Sequence, residues 1–105
     1  MAMNINLIKE RGEFDDYQEI KLLGEGGFGK VYLVSRRSDG MLFAMKMIKI
    51  RHMSDQDKEK IVQESRLLEA LNHPNIVRFV EVYKTRKGKL CIIMEYADGK
   101  SHHTS

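Results

Sequence analysis

Leu23-Gly24-Glu25-Gly26-Gly27-Phe28-Gly29-Lys30-Val31 is the stretch that decides the fold of this chain. It places four glycines in six positions between two apolar runs, residues 17–23 and 30–35, that have the composition of strands. Glycine allows a sharp turn and a close approach of backbone to a ligand, and successive exposed N–H groups form a concave anion site. The stretch therefore predicts a turn between two strands that is able to bind phosphate.

Three phosphate-binding patterns fit this stretch to different extents. The Walker A pattern G-x-x-x-x-G-K-[ST] needs a hydroxyl for Mg²⁺ at its last position, where this chain has Val31. The Rossmann pattern G-x-G-x-x-G needs a following helix and an acid about 20 residues later, but a strand-like run follows here, and Lys46 and Lys49 lie at that distance. The third pattern, a glycine flap G-x-G-x-x-G-x-V between antiparallel strands, fits through Val31. A glycine-rich hairpin that binds no ligand remains an alternative.

The composition is that of one globular domain. The 105 residues are 42% hydrophobic and 31% charged, and the net charge of +3 is mild. The basic residues lie mostly in predicted turns, so nucleic-acid binding is the weaker hypothesis. Cys91 is the only cysteine, which excludes an internal disulfide and favours a reducing compartment. Without a secretory signal or a membrane-length apolar segment, we expect the cytoplasm or the nucleus.

Hydrophobic periodicity predicts an α+β fold with five strands and one major helix. We expect residues 1–13 to form a flexible or lightly docked arm, residues 14–99 the folded unit, and residues 100–105 a disordered tail. A capping box, Ser54-x-x-Asp57, begins the helix, and His73-Pro74 ends it. The predicted strands are residues 17–23, 30–35, 41–50, 76–84 and 90–94, and the predicted helix is residues 55–71.

Two charged residues occur where apolar ones are expected. Lys46 stands in the middle of the third strand between Ala44 and Ile48 on the same face, so it either extends to solvent or meets an anion. Glu64 lies at the centre of the helix stripe that faces the core. A buried carboxylate needs a cation, and Lys46 is a lysine that needs an anion. We therefore expect Lys46 and Glu64 to form an ion pair.

Together these motifs resemble the N-terminal, ATP-binding lobe of eukaryotic protein kinases over residues 14–99. Gly24-x-Gly26-x-x-Gly29-x-Val31 resembles the glycine flap of that family, and Phe43-Ala44-Met45-Lys46 resembles its V-A-I-K strand. Residues 71–77 resemble the turn after its helix, and Met94-Glu95-Tyr96-Ala97 resembles its hinge. The sequence of residues 76–99 is most similar to those of the NIMA-related serine/threonine kinases. The resemblance implies a five-stranded antiparallel sheet with one major helix.

The resemblance also implies a role for each site residue. Lys46 would bind the α- and β-phosphates of ATP and would be held by Glu64. Met94 would be the gatekeeper, and the Glu95 carbonyl and the Ala97 N–H would bind adenine. The base would lie between Leu23, Val31 and Ala44. The implied cofactor-binding residues are Leu23, Gly24, Glu25, Gly26, Gly27, Phe28, Gly29, Lys30, Val31, Ala44, Lys46, Met94, Glu95 and Ala97.

These 105 residues lack two motifs of a complete kinase, the H-R-D-x-x-x-x-N loop and the D-F-G that binds Mg²⁺. No metal site is therefore expected here, and we expect this chain alone to be inactive as a kinase. The alternative is a non-catalytic nucleotide- or partner-binding module, with a protein partner that covers the underside of the lobe. Neither nucleic acid nor a membrane is an expected partner.

Overall fold

The structure, a computed structural model, describes residues 8–26, 29–61 and 76–97. Its centre is a five-stranded sheet in the order β1-β2-β3-β5-β4, in which all four neighbouring pairs are antiparallel. Residues 55–61 are helical. The predicted fold class, a five-stranded antiparallel sheet with a helix, is confirmed. The strands are β1 Tyr17–Gly26, β2 Gly29–Arg36, β3 Leu42–Lys49, β4 Ile76–Lys84 and β5 Lys89–Tyr96.

The helix begins where the capping box predicts. The Ser54 hydroxyl accepts a hydrogen bond of 3.1 Å from the Asp57 N–H, and the Ser54 carbonyl accepts one of 3.0 Å from the Lys58 N–H. The predicted continuation to residue 71 and the end at His73-Pro74 lie outside the described residues. In the part of the chain that is described, no helix is both long and apolar enough to cross a membrane.

Alternate residues of the strands form two faces of the sheet, each with its own core. Within β5, five consecutive residues from Leu90 to Met94 have no exposed surface, so the sheet is covered on both sides. We call the first face the lower face, and its buried cluster is Ile8, Ala44, Ile48, Ile50, Leu90, Ile92 and Met94. The second is the upper face, and its buried cluster is Tyr17, Val34, Phe43, Met45, Met47, Tyr83, Cys91 and Ile93.

Residues 8–13, which we call the N-terminal segment, pack against the outer strand β4. The Lys84 N–H donates to the Lys9 carbonyl and the Arg11 N–H donates to the Lys84 carbonyl, both at 2.9 Å. Ile8 is only 7% exposed and belongs to the lower-face cluster. These contacts involve the described part of the predicted arm. The boundaries of the arm and of the tail remain predictions, since residues 1–7 and 98–105 lie outside the described residues.

Candidate functional site

The glycine-rich stretch forms a hairpin between two antiparallel strands. The register pairs Gly24 with Val31, Glu25 with Lys30 and Gly26 with Gly29. Of the predicted flap residues, Gly27 and Phe28 lie outside the described residues. Because strand β2 follows the glycines directly, the hairpin has the flap arrangement and differs from the strand-to-helix turn that Walker A and Rossmann loops require.

Gly29 is required by the close approach of the hairpin to β3. Its φ is +150°, and a Cβ atom at this position would lie 1.9 Å from the carbonyl oxygen of Met47. That atom belongs to the backbone, so a side chain could be accommodated only by moving strand β3. Gly24, in contrast, faces open space, because a Cβ added there meets no atom within 4 Å. One glycine is needed for packing, and the other leaves room beside the hairpin.

The strand register gathers the predicted site residues on the lower face. Val31 of β2 lies opposite Lys46 of β3, and Ala44 of β3 lies opposite Met94 of β5. Residues directly opposite in antiparallel strands point to the same face. Leu23 and Val31 also pack against the cluster that contains Ala44 and Met94. The hairpin, the lysine and the end of β5 therefore share one surface.

The remaining described site residues lie on the hairpin and at the end of β5, and the side chains of Lys30 and Glu95 share the upper face with their strand partners. Glu25 and Lys30 are exposed at the hairpin, while Glu95 and Ala97 are partly buried at the end of β5. Glu95 lies opposite Phe43, and its carboxylate forms an exposed ion pair of 3.5 Å with Arg78. Ala97, the last residue of the predicted hinge, is the first residue after β5. The structure thus places the hairpin at one end and the predicted hinge at the other.

Lys46 is half-buried at the centre of this surface. Its predicted partner, Glu64, lies outside the described residues, so the ion pair remains a prediction. Among residues 8–26, 29–61 and 76–97, no group of three potential metal ligands is close enough to hold a metal ion.

A polar group on the upper face was not anticipated from the sequence. The Tyr17 hydroxyl donates to Glu81 Oε2 at 2.6 Å, and Arg11 Nη2 lies 3.0 Å from Glu81 Oε1. Arg11 Nη1 in turn lies 3.1 Å from Asp16 Oδ2. We call Arg11, Asp16, Tyr17 and Glu81 the edge-bridging cluster, because it connects β1 with β4. The sequence contained one indication of it, a glutamate in the middle of the apolar strand β4.

The electrostatics of this cluster favour its hydrogen-bonded form. Burial, and then the hydrogen bond to Glu81, raise the pKa of Tyr17 well above its ordinary value. Partial burial raises the pKa of Glu81, but hydrogen bonds from Tyr17 and Arg11 outweigh it, so this pKa lies below its ordinary value. Tyr17 therefore stays protonated, and its hydroxyl donates a hydrogen bond to the Glu81 carboxylate, which stays ionised at neutral pH.

Comparison with known proteins gives one family. The model of the protein kinase domain matches residues 17–105. The chain is 44% identical over 85 residues to the serine/threonine-protein kinase Nek5 of Homo sapiens, which covers 81% of this chain and 12% of Nek5. It is 40% identical over 84 residues to the probable serine/threonine-protein kinase nek3 of Dictyostelium discoideum, covering 80% of this chain and 7% of that protein. A third relative, the serine/threonine-protein kinase Nek1 of Mus musculus, is 36% identical over 85 residues, or 81% of this chain and 7% of Nek1. The chain thus spans 12% or less of the length of these three relatives.

Proposed function

The chain belongs to the protein kinase domain family, with NIMA-related kinases among its relatives, and on that premise we propose that it forms the ATP-binding lobe of a protein serine/threonine kinase. The complete domain would transfer the γ-phosphoryl group of ATP to hydroxyl groups of protein substrates. In this proposal the 105 residues bind and orient the nucleotide. The cytoplasm or the nucleus is the compartment we propose, in keeping with a single buried cysteine.

The observation that carries the proposal is the register of β2, β3 and β5. It sets Val31 opposite Lys46 and Ala44 opposite Met94, so an apolar wall and a cation lie on one face. Adenine needs a flat apolar slot, and Leu23 and Val31, which are partly buried and pack against the cluster containing Ala44 and Met94, offer an apolar surface for it. A triphosphate needs cations and N–H donors, which Lys46 and the glycine hairpin would supply. The residues present therefore fit an adenine nucleotide.

Phosphoryl transfer depends mainly on positioning and on neutralising negative charge. In this lobe the hairpin would cover the phosphates, the Lys46 ammonium group would bind the α- and β-phosphates, and backbone groups of Glu95 and Ala97 would hold the base. Mg²⁺ would enter with ATP and neutralise further phosphate charge. The sequence of these 105 residues contains neither the catalytic-loop motif nor the D-F-G motif. We therefore propose that they bind ATP without transferring its phosphate.

The test is nucleotide binding by the 105-residue chain, measured by titration calorimetry with ATP and Mg²⁺. Lys46→Met should weaken binding by about 10- to 100-fold, because a charge-assisted contact to phosphate is lost. Lys49→Met is the matched control, since Lys49 lies on the same strand but on the other face and is exposed. It should leave the affinity unchanged.

Two results would contradict this proposal. If the wild-type chain binds no ATP at millimolar concentration, the lobe is not a nucleotide site on its own, and the non-catalytic partner-binding module becomes the better proposal. If Lys49→Met weakens binding as much as Lys46→Met, the effect is non-specific charge attraction. Phosphate transfer by the purified chain would refute only the proposed inactivity and would leave the proposed nucleotide binding intact.

A further inference from the structure

The edge-bridging cluster joins the two outermost strands of the sheet. The order β1-β2-β3-β5-β4 places β1 and β4 at opposite edges, four strand spacings apart. In a flat sheet that distance is about 19 Å, which is too far for a tyrosine and a glutamate to meet. The Tyr17 hydroxyl and Glu81 Oε2 are nevertheless 2.6 Å apart. The upper face must therefore be strongly concave, with β1 and β4 converging above its centre.

Packing and charge both stabilise this bridge. The Tyr17 side chain is 1% exposed, and its ring contacts that of Phe43 edge-to-face with centroids 5.8 Å apart. Arg11 binds the second oxygen of Glu81, and its guanidinium lies 5.1 Å from the centre of the Tyr83 ring. A hydrogen bond to a carboxylate that is also paired with a guanidinium is stronger than a neutral one. The Glu81 carboxylate is thus held at one oxygen by Tyr17 and at the other by Arg11.

Strand β1 has little else to fix its position. Within the sheet it pairs only with β2, and this pairing has two register shifts, between Glu19 and Lys21 and between Leu22 and Gly24. Ile20 and Leu22 are 48% and 47% exposed, so the middle of the strand is poorly anchored by packing. Tyr17, at the start of β1, is its most deeply buried described residue. The same strand ends in the glycine hairpin.

We propose that Tyr17 and Glu81 are positioning residues for the nucleotide site. Their hydrogen bond fixes the start of β1 relative to β4, and β1 carries Leu23 and Gly24 into the hairpin. Leu23 and Val31 of the hairpin lie on the lower face and pack against the cluster that contains Ala44 and Met94. The tilt of β1 therefore sets how Leu23 packs over Ala44 and Met94, and with it the shape of the slot. This inference rests on the proposed function of that slot.

The experiment compares two single-atom changes on the upper face. Tyr17→Phe removes the hydroxyl and keeps the ring contact with Phe43. Amide hydrogen exchange at Leu22, Lys30 and Val31 should become several-fold faster than in the wild-type chain, and ATP affinity should fall about fivefold. Tyr32→Phe is the matched control, because Tyr32 packs at the same face outside the edge-bridging cluster. It should change neither quantity.

A double variant shows whether the two residues act as one unit. If they do, Tyr17→Phe combined with Glu81→Gln should lose no more affinity than the more damaging single variant. The inference is overturned if Tyr17→Phe accelerates amide hydrogen exchange at positions 17 and 81 but leaves exchange at Lys30 and Val31 at the wild-type rate. Hydrogen exchange needs no nucleotide, so this result is separate from a failure of the chain to bind ATP. Should Tyr17→Phe not fold, Glu81→Leu, which removes the acceptor of the hydrogen bond, gives the same comparison.

Discussion

The lower and upper faces of the sheet are built from alternate residues of the same strands, but they are closed in different ways. The lower-face cluster is made of aliphatic side chains and methionine, and its cover includes Ile8 and Ile61 from outside the sheet. The upper-face cluster includes two buried tyrosines, and their hydroxyls bond to Glu81 and to the Glu13 carbonyl. The upper face is thus closed by specific hydrogen bonds, and the lower face by apolar contact.

Under the proposed function, this difference lets one sheet serve two purposes. Apolar contact is non-directional, so the lower face can form a wall for adenine wherever the residues packed over its cluster leave space. Hydrogen bonds are directional, so the upper face fixes how the strands are arranged. Burial also raises the pKa of the Cys91 thiol to about 12, as expected for a side chain in the closed upper face. Under the proposed function, the upper face determines the shape of the sheet and the lower face would bind the nucleotide.

The largest expected effect comes from truncating neighbouring residues of β5 that lie on opposite faces. Ile92 and Ile93 both have no exposed surface. Each substitution by alanine should lower the free energy of unfolding by about 2–5 kcal/mol, because each leaves a cavity. Only Ile92→Ala should also weaken ATP binding by the folded chain, since Ile92 lies opposite Lys46. Urea unfolding and calorimetry at low temperature measure the two quantities.

The comparison between the faces would fail if Ile93→Ala weakened ATP binding as much as Ile92→Ala. In that case the upper face would contribute to affinity directly and not only to shape. Phe79, which packs against the lower-face cluster and is partly buried, provides a third position. Phe79→Leu should change stability less than either alanine variant, because it retains most of the apolar volume.

A second prediction separates the contributions of three glycines. Gly29→Ala should cost about 3 kcal/mol of stability, from the clash with the Met47 carbonyl and from the positive φ. Gly40→Ala should cost about 1 kcal/mol, because its φ is +75° but an added Cβ meets nothing within 4 Å. Gly24→Ala, which has open space, should cost less than either. Thermal unfolding of the three variants gives the order, and equal costs at Gly29 and Gly40 would contradict the clash.

The smallest expected effect concerns pH. The pKa of Glu81 is lowered in the folded chain, so the stability it contributes is complete above its unfolded pKa and is lost as pH falls through the folded value. The charged groups around it are Arg11 and Lys9, and Tyr17 donates to it. The loss should be about 1 kcal/mol or less, because the carboxylate is partly in solvent. Urea unfolding from pH 6 to pH 3 should therefore show a shallower decline for Glu81→Gln than for the wild-type chain, and parallel declines would contradict this.

Local patterns in the sequence were sufficient for much of the fold. The bounds of β4 agree with the predicted residues 76–84, and the hairpin follows from the spacing of its glycines. The position of Ala44 and Lys46 on one face follows from the two-residue period of β3. Such features depend on neighbours along the chain, so a single sequence contains them.

Contacts between residues far apart in the sequence were harder to predict. The edge-bridging cluster depends on the curvature of the whole sheet and joins residues 64 positions apart, which no local pattern encodes. Glu81 is surrounded in sequence by the apolar residues Val80 and Val82 and could equally have faced solvent. Ile8 lies in a stretch without clear periodicity, so its burial was not foreseen. The pairing of Lys46 with Glu64 remains a prediction.

The N-terminal segment has a practical consequence for recombinant work. The family match begins at residue 17, but backbone hydrogen bonds from Lys9 and Arg11 already pair with Lys84 at the outer edge of β4. A protein produced from residue 17 would lose these partners, the buried Ile8, and the guanidinium that holds Glu81. Its β4 edge would present unpaired N–H and C=O groups, which are a template for strand exchange between molecules. Aggregation of such a shortened product would then reflect the choice of its first residue and not a defect of the lobe.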